Sequence, residues 1–128
     1  MGEPKFIQKA RNDGGIATIA NANWDGSGTL ATIVEGDAES GIRIDRISFR
    51  CSGNTAANSL RIYLCKDNDK RLIHVIPVAA TTGSNTAVSW AQDWLLDPPL
   101  VLEYGYSLMF APAVAAAFHA SITSGGEL

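Results

Sequence analysis

Two histidines, two cysteines, three tryptophans and a few carboxylates set in strand-like runs are the residues of this chain that could do chemistry. His74 and His119 could hold a metal or move a proton. They lie in different runs, however, and no Cys-x-x-Cys or His-x-x-x-His spacing accompanies them. Asp67-Asn68-Asp69 offers the oxygen ligands calcium takes, without the Gly and distal Glu of a helix–loop–helix calcium loop. The same residues make a solvated hairpin tip. A serine nucleophile needs a sharp elbow such as Gly-x-Ser-x-Gly, whereas Gly26-Ser27-Gly28 and Gly105-Tyr106-Ser107 read as turns. Those glycines stand between strands, not ahead of a helix whose N-terminus could hold phosphate. Asp45 and Glu103 are embedded in strand pattern, and sugar hydrolysis would need two carboxylates across a cleft at a set separation. The residues supply no convergent catalytic set, so the expectation is a non-enzymatic protein with no cofactor and no metal.

Aromatics and thiols leave two readings each. Trp90 and Trp94 fall on one face of an extended run, so their rings start roughly 13 Å apart. That spacing suits a stacking platform for a glycan, and it equally suits a filled core or a subunit contact. Cys51 and Cys65 end two runs, 42–51 and 60–65, that read as a hairpin around Gly53-Asn54-Thr55. In that register Cys51 faces a residue near Leu60 and Cys65 one near Arg46, too far apart to bridge each other. They are then half-buried thiols or an inter-subunit disulfide.

The elements that must position these residues are strands. Period-two alternation appears at 16–20, 29–34, 42–51, 60–65, 72–78, 88–96, 99–110 and 114–122, separated by turn chemistry. In 42–51 the apolar phase changes: Ile42 and Ile44 share one face, Ile47, Phe49 and Cys51 the other. One extra residue near Asp45-Arg46, a β-bulge, explains the change. Pro77 places 72–78 at an edge or a strand end. Pro98–Phe110 reads as strand, turn at Glu103-Tyr104-Gly105, and strand, while the Ser-Gly-Gly-Glu-Leu tail reads as loose. Residues 1–13 read as a polar arm carrying the apolar pair Phe6-Ile7, and 14–128 as one antiparallel β-sandwich of about eight strands.

At 128 residues, 46% hydrophobic and 18% charged, the chain can bury a core and is light in charge. The net charge of −3 is unevenly spread: 41–71 holds seven basic against three acidic residues, while 72–128 has four acids and no Lys or Arg. Arg43, Arg46, Arg50 and Arg61 therefore form a candidate basic contact surface, or simply a solvated strand face. The acidic balance and sparse aromatic interleaving argue against a nucleic-acid partner. No stretch is long and apolar enough for a membrane helix, residues 1–13 lack a signal-peptide h-region, and Phe6 stands where a myristoylation motif wants Ser or Thr.

The order of three segments carries a resemblance. Ile42-x-Ile44-Asp45-Arg46-Ile47-x-Phe49, then Leu60-Arg61-Ile62-Tyr63-Leu64, then Pro99-Leu-Val-Leu-x-x-Gly105-Tyr-Ser-Leu108 resembles small virion proteins of tailed bacteriophages, over roughly residues 14–127. The resemblance implies a jelly-roll-like sandwich that decorates or cements the capsid as a homotrimer, with the major capsid protein as partner and the capsid surface as location. On that reading Phe6 and Ile7 anchor the arm on a neighbouring subunit and the arginines meet acidic surface. The alternative is a tail, fibre or head-spike module that binds host glycan through Trp90 and Trp94.

Overall fold

The computed structural model describes residues 7–84 and 90–128. The described residues form nine strands: β1 (Lys9–Ala10), β2 (Gly14–Ala17), β3 (Ala31–Glu35), β4 (Ile42–Cys51), β5 (Asn58–Lys66), β6 (Asp69–Val78), β7 (Trp90–Leu102), β8 (Ser107–Pro112) and β9 (Phe118–Glu127). They form two antiparallel sheets. One runs β1-β9-β4-β7 with β2 also on β9; the other runs β3-β8-β5-β6. From β2 to β9 the chain alternates between the sheets except at the β5–β6 hairpin, the winding of a jelly-roll sandwich.

β4 shows why the sheets face each other. Ile42, Ile44, Ile47, Phe49 and Cys51 are buried, while Arg43, Arg46, Ser48 and Arg50 point outward. The ladder shifts register between Ile44 and Arg46 against both β7 and β9, which is the bulge the phase change predicts. Opposite the bulge, β7 carries four residues, 96–99, between the pairs Arg46↔Leu95 and Ile44↔Leu100. Pro98 and Pro99 have no N–H to give a ladder. From the other sheet Leu60, Ile62, Leu108 and Phe110 close the core, each at 0% exposure, and Phe49 meets Phe110 edge to face at 5.9 Å. Such burial contributes about 1.5–3 kcal/mol per large side chain.

Five sequence expectations change. The runs 42–51 and 60–65 are not a hairpin: β4 and β5 lie in opposite sheets, and the real hairpin is β5–β6. Residues 90–96 and 99–102 belong to one strand, β7, while Val88 and Ser89 of the expected run lie outside the described residues. Val114 and Ala116 precede the last strand rather than forming it. The tail is not loose, because β9 runs to Glu127 with β4 on one side and β1 on the other. A Cβ on Gly125 would sit 2.5 Å from the Arg43 carbonyl oxygen, and one on Gly126 2.3 Å from that of Lys9. Glycine there serves close backbone approach, not a turn. Residues 9–10 of the expected arm are β1 itself.

Pro77 sits on edge strand β6, as expected. Gly105 is where the chain leaves one sheet for the other. It has φ +90°, and its N–H donates to the Gly36 carbonyl at 2.8 Å. Residues 18–30 add a partial third layer over the second sheet. Asn21 N–H donates to Pro112 of β8 at 2.8 Å, Arg61 and Tyr63 of β5 bond the loop, and Gly26 lies against Lys70 of β6.

Candidate functional site

The outer face of the first sheet gathers three of the four expected arginines. Asp93 of β7 accepts from Arg46 and from Arg50, the latter at 2.9 Å. Arg43 Nε donates to Asp45 at 3.0 Å. The bonds from Arg46, then Arg50, then Ser48 hold the Asp93 carboxyl well below the usual carboxylate range. The basic row is therefore largely neutralised by its own strand neighbours, and exposed pairs of this kind contribute little to stability.

Arg61 is not part of that face. It lies in the other sheet at 5% exposure, under the 18–30 loop. Its Nη1 donates to the carbonyls of Asn21 and Asn23, both at 3.1 Å, and its guanidinium carbon lies 3.5 Å from the centroid of the Trp24 ring. Its Nε has no acceptor among the described residues. Beside it the Tyr63 hydroxyl donates to Asn23 at 3.0 Å, and burial pushes that hydroxyl above its ordinary pKa, so it remains a donor. Asn21, 6% exposed, ties the loop to itself: its amide donates to Ser27 and Thr29 at 2.8 and 3.0 Å, and its oxygen accepts from Asn23 N–H. Buried polar groups satisfied in this way fix one loop conformation. The loop then presents Trp24 at 54% exposure.

Trp90 and Trp94 do not form a platform. Trp90 is 8% exposed and packs edge to face on Phe118 at 5.7 Å. Trp94, further along β7, is half-buried and stacks flat on His74 of β6, with ring centroids 4.2 Å apart and planes 7° apart. That stack joins the free edges of the two sheets. Burial lowers the His74 pKa below its ordinary value.

Cys51 and Cys65 stand on opposite sheets at 0% and 4% exposure. Cys51 Sγ donates to the Gly53 carbonyl at 3.3 Å, and burial raises the Cys65 pKa. Both are buried thiols, Cys51 in the core between the sheets and Cys65 on the outer phase of β5 with Arg61 and Tyr63, so an inter-subunit disulfide would require exposing each of them first. Phe6 lies outside the described residues. Ile7 packs on its own chain, its Cγ2 being 2.6 Å from where a Gly126 Cβ would stand. His119 bonds Ser52 at 3.1 Å, far in the topology from His74. Among the described residues no group of three or more His, Cys, Asp or Glu side chains is placed to hold a metal ion.

The sequence reading missed the Asn21–Trp24–Arg61–Tyr63 assembly. Its signal was in β5, where Arg61, Tyr63 and Cys65 alternate with Leu60, Ile62 and Leu64. Large residues on both faces mark a strand covered on both sides. Comparison with protein-family models, with curated proteins and with solved structures finds no match, so this geometry is what a functional reading stands on.

Proposed function

We propose that this chain is a non-enzymatic structural subunit that packs against copies of itself and against a larger protein shell. A trimeric capsid decoration protein of a tailed-phage head, with the major capsid protein as its partner, is the form the sequence resemblance implies. The observation that carries self-packing is the margin formed by the edge strands β6 and β7. Leu72 and Ile73 are each 39% exposed there and Leu95 is 70% exposed. Ile73, Trp94, Leu95, Pro98 and Leu100, with Asp97 among them, line one shallow, largely apolar concavity between the sheets. Contiguous apolar surface of this kind marks protein contacts. Pro77 and Pro98-Pro99 interrupt the N–H rows of both edges, so the contact uses side chains rather than strand addition. The occupant that fits is a second copy, because a chain light in charge that carries its own apolar margin is complementary to itself.

Light scattering after gel filtration tests this. The native chain is expected to run as an oligomer, and Ile73→Glu with Leu95→Glu as a monomer of unchanged secondary structure. A native monomer at micromolar concentration would remove the reading. Co-sedimentation with phage heads then tests the shell partner, and failure there alone would remove the capsid assignment while leaving self-packing.

A further inference from the structure

We propose that the open face of Trp24 is a binding site for a neutral pyranose sugar, independent of the β6–β7 margin. The geometry is that of a pre-built aromatic shelf. One face of the indole rests on the Arg61 guanidinium at 3.5 Å, and the residue is nevertheless 54% exposed, so the opposite face meets solvent. An aromatic ring that size loses favourable burial by standing in water. Here the fold devotes three buried polar side chains, Asn21, Arg61 and Tyr63, to holding the loop that carries it. A ring held this way loses little conformational freedom on binding, which is the condition for useful affinity from one small contact.

The surroundings select the ligand class. Within 21–28 Trp24 is the only large apolar side chain, and its exposed neighbours are Asn23, Asp25 and Ser27. Along the loop the ring's neighbours are thus polar, which suits a ligand with polar groups at its rim. Pyranoses present one C–H-rich face, which lies on an aromatic ring, and hydroxyls at the rim, which bond amides and carboxylates. Asp25 Oδ1 already accepts from the Ser27 N–H at 3.0 Å and from its hydroxyl at 2.6 Å, so the carboxylate is oriented and held below its ordinary pKa. Oδ2 stands outside those bonds. The ionised carboxylate repels acidic sugars, and the guanidinium beneath the ring already takes the cation–π attraction that would draw a cationic ligand. A neutral sugar satisfies both.

A glycan array spanning neutral and acidic pyranose oligosaccharides is the first measurement, followed by calorimetry with whichever neutral glycan is retained. Retention of at least one neutral glycan is expected, with binding abolished by Trp24→Ala and unchanged by Trp94→Phe. Trp24→Phe keeps a ring over Arg61 with a smaller face, and should weaken binding about tenfold even if the alanine variant folds poorly. An array without neutral binders overturns the proposal, as does affinity that survives both Trp24 substitutions. A Trp24→Ala protein that binds no glycan in either form but changes oligomeric state assigns the indole to subunit contact instead. Because the margin variants Ile73→Glu and Leu95→Glu leave the loop untouched, they should bind sugar as the native chain does. The two readings therefore fail separately.

Discussion

Arg61 places a guanidinium at 5% exposure with no carboxylate bonded to it among the described residues. Moving a charge out of water costs several kcal/mol unless other groups replace the water. Two loop carbonyls and the indole face do so here, and the loop is in turn held by the charge that it covers. Arg61→Ala should therefore act on stability and on the loop together. It leaves the Asn21 carbonyl without its donor and a void under Trp24, with a loss of about 2–4 kcal/mol in urea denaturation. Trp24 should also lose its fixed position, read as faster depolarisation of its emission in a Trp90→Phe, Trp94→Phe background. A variant as stable as the native chain would mean that the guanidinium is tolerated under the loop rather than required by it.

Among the elements, those whose signal is local were legible. β4 wrote its bulge into the change of phase at Asp45-Arg46, and Pro77 marked β6 as an edge. What was not legible depends on distant backbone. Gly125 and Gly126 read as a loose tail because glycine is common in turns, yet they are strand residues pressed by the Arg43 and Lys9 carbonyls. Nothing in 18–30 states which sheet face it covers, so Trp24 stayed hidden while Trp90 and Trp94 shared a strand phase that could be interior or exterior. Gly125→Ala tests the reassigned tail. Its Cβ would meet a carbonyl at 2.5 Å, and a loss of about 2–4 kcal/mol is expected in thermal or urea unfolding, against near zero for a loose tail. The β6–β7 seam carries a pH prediction. The His74 pKa is lowered from its ordinary 6.5 by burial, so below that value the unfolded chain binds the extra proton first. Stability is thus fully present above about pH 6.5 and is lost as pH falls through the lowered pKa. His74→Phe, which keeps a flat ring on Trp94, should remove that part of the slope in denaturation midpoints measured across the interval.

For the whole molecule, the interior and the margin separate what holds the fold from what the fold would do. Phe110 is at 0% exposure between the sheets and meets Phe49 across them; Leu95 is 70% exposed on the free edge of β7. Both are large apolar residues in strands, but Leu95 stands out of the phase that Trp90, Trp94 and Leu96 share, whereas Phe110 keeps the phase of Tyr106 and Leu108. Phe110→Ala should cost about 3–5 kcal/mol, a large share of the roughly 5–15 kcal/mol that holds an ordinary domain folded. Leu95→Glu removes no core contact, so the isolated subunit should keep its stability to within about 0.5 kcal/mol. Its effect should appear in assembly, as a dissociation constant raised by an order of magnitude or more, because a charge on a copy-to-copy contact is desolvated or repelled at each such contact. Unfolding measured at concentrations well below and well above that constant distinguishes the two. The native protein should gain stability with concentration as association stabilises the folded state, and Leu95→Glu should lose that dependence while Phe110→Ala keeps it from a lower baseline. A native chain whose midpoint is independent of concentration would show that the apolar margin is surface, not interface.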